Sequence, residues 1–224
     1  MSKLSATVDR FVEERRLLAA GIRLIAGIDE AGRGPLAGPV LAAAVVFPEE
    51  TIRDGLPADL AGLNDSKQLT AAQREFFFGV LTGWPDLDFS IARVEPDLID
   101  QWNILRATHR AMHEAVSNLR RRPQHVLVDG LPVATLPLPH TALVKGDARS
   151  YSIAAASVLA KVTRDRIMAT YDRLYPAYGF ARHKGYPTRE HLAALARHGP
   201  CPIHRRSFAP LKPVPGREFA AFTR

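Results

Sequence analysis

Along residues 7–20 (TVDRFVEERRLLAA) apolar positions recur at helical spacing, which predicts a short amphipathic helix outside the main fold. RLIAGID (23–29) is a compact apolar run that meets a turn-rich stretch, AGRGPLAGP, and PVLAAAVVF (39–47) is a second run closed by Pro48. Both read as strands. A polar stretch with Pro and Gly extends to about Lys67, after which Thr70 can cap a helix beginning TAAQREFFFGVL. Phe76, Phe77 and Phe78 on that helix are core material, although three consecutive positions cannot share one side. Asp88–Val94 alternates as a third strand, and residues 103–121 place Ile104, Ala107, Ala111, Ala115 and Leu119 on one side of a helix.

Two further short apolar runs, HVLVD (125–129) and TALVKGD (141–147), each end in an aspartate. The small residues of SIAAASVLAKVTRDRIMATYDRL (152–174) predict a long helix packed closely on a sheet. A helix near 188–198 and a Pro-rich tail follow. Strands first in a run, then alternating with helices, imply an α/β fold with a mixed sheet, flanking helices and a helical C-terminal portion. The expected organisation is an N-terminal extension over 1–20 and one domain over 21–224.

The acids change this picture most. Asp29 ends the first strand and Glu30 follows it; Asp129 ends the fourth, and Asp147 follows the fifth. Ligand sites in open α/β sheets form at the carboxyl ends of strands. If strands one, four and five are parallel neighbours, all four carboxylates meet at one sheet edge. Asp29 and Glu30 would face opposite ways in a regular strand. The glycines after them predict that the strand has already broken there and that both turn inward. Asp129 alone, ahead of Gly130, reads as a turn residue. Four clustered carboxylates repel one another and call for a counter-charge, and an all-oxygen donor set favours Mg²⁺ or Mn²⁺ over zinc. Two such ions can activate a water and stabilise the leaving oxygen in phosphodiester cleavage.

Composition adds direction. The 224 residues hold 30 Lys and Arg against 23 Asp and Glu, a net charge of +7 that is compatible with a polyanionic partner. No apolar run approaches the ~20 residues of a membrane span. Glu13, Glu14, Arg15 and Arg16 precede any apolar stretch, unlike a secretory signal, and a lone cysteine, Cys201, excludes an internal disulfide. The expected home is a reducing cytoplasm.

AGIDEAGRGPLAGPVLAAAV, NDSKQLT, VDG, VKGD, SIAAASVLAKVTRDR and GFARHKGYPT together resemble the motifs of the ribonuclease HII family, in that family's order, over residues 23 to 208. The resemblance implies an RNase H-like fold with a five-stranded mixed sheet. It implies that Asp29, Glu30, Asp129 and Asp147 hold two divalent cations, Mn²⁺ or Mg²⁺. It implies an endonuclease that hydrolyses the RNA strand of RNA–DNA hybrids, cuts at ribonucleotides embedded in duplex DNA, and leaves 3′-hydroxyl and 5′-phosphate ends. By the same resemblance Gly32, Arg33 and Gly34 grip the ribonucleotide, whose 2′-hydroxyl separates RNA from DNA, and Tyr186 packs on the following sugar. Lys67, Arg182, His183 and Lys184 are candidate phosphate contacts. Lys161, Arg164 and Asp165 are candidates for structural ion pairs. A monomer acting on these duplexes is expected.

Other patterns fall away. GRGPLAG lacks the GK[ST] ending of a P-loop and the dinucleotide spacing. His109 and His113, four apart, lack the Glu of the zincin pattern and read as a solvated face. His198, Cys201 and His204 form an HxxCxxH cluster, but Pro200 and Pro202 restrict its backbone as a zinc site. Rival functions are another nuclease or strand transferase on the same fold, and a hybrid-binding protein without chemistry.

Overall fold

The computed structural model describes residues 9–212; the end of the Pro-rich tail, 213–224, and the first residues of the predicted N-terminal helix lie outside them. Five strands form one sheet: β1 (Ile25–Ala31), β2 (Val40–Val46), β3 (Asp88–Val94), β4 (His125–Asp129) and β5 (His140–Leu143). Their order is β3-β2-β1-β4-β5. The first three are antiparallel, while β4 and β5 run parallel to β1. The helices are α1 (Val12–Ala19), α2 (Glu49–Asp54), α3 (Ala71–Gly83), α4 (Pro96–Trp102), α5 (Ile104–Ser117), α6 (Tyr151–Leu174), α7 (Phe180–His183) and α8 (Arg189–His198). Among the described residues no helix is long and apolar enough to cross a membrane.

Side-chain alternation along the strands makes two cores. Ala26, Ile28, Ala42, Ala44, Val126 and Val128 pack against Ala107, Ala111 and Ala115 of α5 on one face. On the other, Ala43 and Val45 pack against Ala154, Ala155, Val158 and Leu159 of α6. The predicted small residues of α6 do allow close approach: a Cβ at Gly27 would lie 2.2 Å from the carbonyl carbon of Ser152. Thr70 caps α3 in a box with Gln73, as its sequence anticipates. Of the three phenylalanines, Phe77 is buried, Phe76 is exposed, and Phe78 lies under the Arg166 guanidinium.

Three local expectations need correction. The strand β1 does not break at Asp29; it stays paired with β2 through Ala31, because β2 supplies partners (Asp29 with Ala43, Glu30 with Ala42) after β4 has ended. β5 stops at Leu143, since its only partner, β4, ends at Asp129. Lys145 then turns left-handed (φ +55°), and Asp147 sits on a 3₁₀ turn, Gly146–Ala148. Finally, α1 is not outside the fold. Phe11 and Leu17 are buried, and the fully buried Glu14 accepts hydrogen bonds from Ser150 Oγ (2.6 Å) and Ser152 N–H (3.2 Å) at the start of α6. The spacing showed an amphipathic helix; nothing in it identified the surface that covers the apolar side.

Candidate active site

Parallel pairing of β1 with β4 brings their carboxyl ends together in the middle of the sheet. Asp29 and Asp129 occupy odd positions in register, so both face α6. The turn bearing Asp147 is tied to them because Gly146 N–H donates to Asp129 Oδ1 at 2.7 Å. Carboxylate oxygens of Asp29, Asp129 and Asp147 all lie within 4.8 Å of one another, and among the described residues they are the only such group able to hold a metal ion. Asp29 accepts from the N–H of Glu30 at 2.7 Å and from the Ser157 hydroxyl, whose oxygen lies 2.9 Å from Ser66 Oγ.

Glu30 is placed differently. Alternation turns it to the α5 face, where its carboxylate accepts from Arg33 Nη1 at 3.2 Å. It borders the three-aspartate group without joining it. Its charge still reaches the cluster: burial first, then Glu30 and Asp129, push the Asp29 carboxyl well above the usual range. Burial, with the charges of Asp129 and Asp65, pushes Asp147 up to about 6. Glu30 is also raised by burial, against the opposing pull of Arg33. The Lys67 ammonium stands 3.9 Å from Asp147 Oδ2. Partial burial works against its charge, yet Asp29, Asp65, Asp147 and Asp129 together hold its pKa above the ordinary lysine value. The site is therefore a pool of negative charge with the exposed Arg33 and Lys67 cations at its edge.

The loop Gly32-Arg33-Gly34 forms the rim. Its shape is imposed from beneath by two buried arginines. Arg205 donates to the carbonyls of Gly32 (2.6 Å), Arg33 (3.0 Å), Pro35 (2.9 Å) and Gly38 (2.9 Å). Arg164 donates to Pro39 (3.0 Å), Ala37 (3.0 Å) and Lys184 (2.9 Å). Gly32 has φ +96°, and a Cβ there would lie 2.1 Å from Arg164 Nε, so only glycine fits. With the carbonyls turned inward, the N–H groups of Arg33 and Gly34 have no acceptor among the described residues. Tyr186, 44% exposed, stands over this rim; its Cε1 is 3.6 Å from where a Gly34 Cβ would be. Asp29, Glu30, Gly34, Lys67 and Tyr186 share one open cleft of about 320 Å³.

The other sequence candidates separate. Lys161 and Asp165 do form an ion pair at 2.8 Å, but Arg164 holds backbone carbonyls instead of a carboxylate, because the loop 37–39 crosses directly over it. Arg182 is exposed and paired with Glu190, whereas His183 is buried with its ring bonded to Tyr178 O and Gly185 N and is not presented to a phosphate. Lys184 reaches the carbonyl of Asp165 at 3.4 Å. Cys201 and His204 are in contact (3.1 Å), but the third member is His191 rather than His198. Sequence reading missed Asp65, whose side chain bonds Asp147, and the Ser66–Ser157 pair; the NDSK motif that contains Asp65 and Ser66 was the available signal. For Arg205 there was none, since Arg205-Arg206 has the look of a solvated charge pair.

The Ribonuclease HII family model matches residues 26–211. Ribonuclease HII of Geobacillus thermodenitrificans is 54% identical over 203 residues, covering 91% of this chain and 75% of its own length. That of Geobacter metallireducens is 50% identical over 192 residues, 86% of each chain. Among solved structures, ribonuclease H2 from Pyrococcus horikoshii superposes with a TM-score of 0.69 at 33% identity, over 84% of this chain and 95% of that one. With an RNase H-like sheet, a buried aspartate cluster at its centre and this similarity along nearly its whole length, the chain belongs to the ribonuclease HII family of endonucleases.

Proposed function

We propose that this ribonuclease hydrolyses the RNA strand of RNA–DNA hybrids and also cuts at single ribonucleotides embedded in duplex DNA, acting as a monomer with two divalent cations, Mn²⁺ or Mg²⁺. The observation that carries the reading is the placement of three aspartates with oxygens within 4.8 Å directly under a rim of free backbone N–H groups and an exposed tyrosine. Buried carboxylates held above their ordinary pKa by burial and by mutual repulsion are suited to cations, and the all-oxygen donor set is that of a hard ion. Asp29, Asp129 and Asp147 would hold the ions, with Glu30 completing the set from the other sheet face. When bound, such ions make a water more nucleophilic and stabilise the departing 3′ oxygen, so that 3′-hydroxyl and 5′-phosphate ends result.

The rest belongs to the chain's own residues. The N–H groups of Arg33 and Gly34 can donate to the ribose 2′-hydroxyl or its phosphate, because no side chain at 34 keeps a nucleotide away. The Tyr186 ring can lie on the next sugar, where a deoxyribose packs better than a ribose. Lys67 can meet a phosphate oxygen entering beside Asp147. The functional test is cleavage of an end-labelled DNA duplex containing one ribonucleotide, with Mg²⁺, Mn²⁺ or EDTA, beside an all-DNA duplex and a full hybrid. Metal-dependent cutting 5′ of the ribonucleotide, with the all-DNA control intact, is expected. Equal cutting of all-DNA duplex would move the activity to a general nuclease, and binding without turnover would make the chain a hybrid-binding protein.

A further inference from the structure

The residues left over by the active site include a buried chain of three histidines and Cys201 behind Tyr186. The His191 ring is fully buried on α8, with Nδ1 2.9 Å from the carbonyl of Tyr186 and Nε2 3.0 Å from Nε2 of His204. His204 Nδ1 lies 3.0 Å from Cys201 N and 3.1 Å from its sulfur. His183 stacks on His191 at 4.4 Å between ring centroids.

Donor and acceptor counting allows one assignment. A carbonyl can only accept, so His191 carries its proton on Nδ1 and its Nε2 is the acceptor. His204 must then carry its proton on Nε2, which leaves Nδ1 to accept from Cys201 N–H. The proton on each ring is thus fixed by the bond the other nitrogen makes. The bonds run one way, from the Cys201 amide through His204 and His191 to the Tyr186 carbonyl. At its other side that loop is held by Tyr186 N–H to His183 O (2.9 Å) and by Thr188 N–H to the same Tyr186 carbonyl (2.8 Å). The backbone just before it is left-handed at Lys184 and Gly185, and the phenol itself is exposed. The ring is therefore aimed by its backbone anchors.

We propose that His191 is a positioning residue for Tyr186: its Nδ1–H, kept in one tautomer by His204, fixes the Tyr186 carbonyl and so sets the ring over Gly34. Its consequence for substrate choice rests on the reading that Tyr186 packs on the sugar. The geometric part does not.

Two substitutions separate the bonds. His191→Asn puts an amide N–H near the Nδ1 position and keeps the donor to Tyr186 while losing His204. His191→Gln reaches His204 but leaves the Tyr186 carbonyl without that donor. Glutamine fills the space better, so a purely structural role ranks it as the milder change. Positioning ranks it as the worse one. In wild-type protein, ¹⁵N imidazole spectra are expected to show protonated Nδ1 on His191 and protonated Nε2 on His204; the opposite tautomers overturn the proposal without any variant having to fold. The nuclear Overhauser contact between the Tyr186 ring and Gly34 is expected to persist in His191→Asn and vanish in His191→Gln. Its persistence in His191→Gln overturns the proposal. Cleavage then reads the consequence: His191→Gln should lower kcat/KM at a single ribonucleotide, relative to a long hybrid, by on the order of tenfold, since displacements of ~1 Å cost up to ~10²-fold. If the ring contact behaves as stated but neither His191→Gln nor Tyr186→Ala changes that ratio, positioning stands and the sugar-packing reading falls.

Discussion

The guanidinium of Arg205 holds the carbonyl of Gly32 at 2.6 Å across 173 residues of sequence. With Arg33, Pro35 and Gly38 it makes a cradle of four carbonyls around one buried cation. Removing the cation strands acceptors that have no water to turn to, at about 1–3 kcal/mol for each buried group left unsatisfied. Arg205→Met should therefore lower stability by at least ~2 kcal/mol in urea unfolding. Arg205→Lys should fail to restore it, because an ammonium cannot present the planar fork. A lysine variant as stable as wild type would show that charge, and not the fork, shapes the rim.

The two rim glycines should part company. Gly32→Ala meets both a left-handed φ and the pinned Arg164 Nε, so the backbone strain alone, about 1–3 kcal/mol, comes with a clash that cannot relax. Gly34→Ala meets only the Tyr186 ring at 3.6 Å and should keep the wild-type melting point while cleavage falls. Similar melting points for the two variants would contradict the rim geometry.

Asp29→Asn changes charge without volume. Cleavage should fall by at least ~10²-fold, since even the partners of metal ligands are worth 10–100-fold. The metal-free variant should melt no lower than wild type, because burial, Glu30 and Asp129 all oppose the Asp29 charge it removes. Mn²⁺ should raise the melting point of wild type more than that of the variant, as binding to the native state alone predicts. Equal shifts would place the ions elsewhere.

Tyr186→Ala should reduce cutting at an isolated ribonucleotide more than cutting within a long hybrid, where every neighbouring sugar is ribose. Steady-state kcat/KM on the two substrates reads this directly, and equal losses would remove the junction-sensing role.

Acid should loosen the protein through its histidines. Burial, with His183 beside His191 and His191 beside His204, pushes both His191 and His204 down to about 4 from 6.5; Cys201 and Arg206 also face His204. The unfolded chain therefore binds more protons between these values, so stability is full above about 6.5 and is lost as pH falls toward 4. Urea midpoints at pH 7 and pH 5 should differ in wild type, and by less in His191→Asn, which has one titrating ring fewer. A wild-type midpoint unchanged between the two pH values would contradict the neutral histidine pair.

Much of this molecule could be read from spacing. Asp88–Val94 and His125–Asp129 alternate or run apolar over their true lengths, and the helix cap at Thr70 is a local signal. What escaped was whatever depends on a distant partner. β1 continues past Asp29 because β2 pairs with it, which no property of the GRG segment foretells. Glu30 consequently borders the three aspartates without joining their group. Arg164 looks like an ion-pair residue beside Asp165 until the loop from Ala37 to Pro39 is laid over it. The histidine chain draws one member from α8 and two residues from the segment beyond, so the local HxxCxxH pattern pointed to His198 where the fold uses His191.

Glu14 leaves the ribosome 136 residues ahead of the Ser150 hydroxyl it accepts from. Until that first turn of α6 is made, the carboxylate keeps its water, and Phe11 has no Tyr151 ring to pack on. The docking of α1 on α6 thus waits for a surface made 136 residues later, a delay built into vectorial synthesis rather than into the final contacts. Appending a bulky or strongly acidic tag ahead of α1 should consequently tell first on the yield of folded chain, before any change in the rate of the finished enzyme.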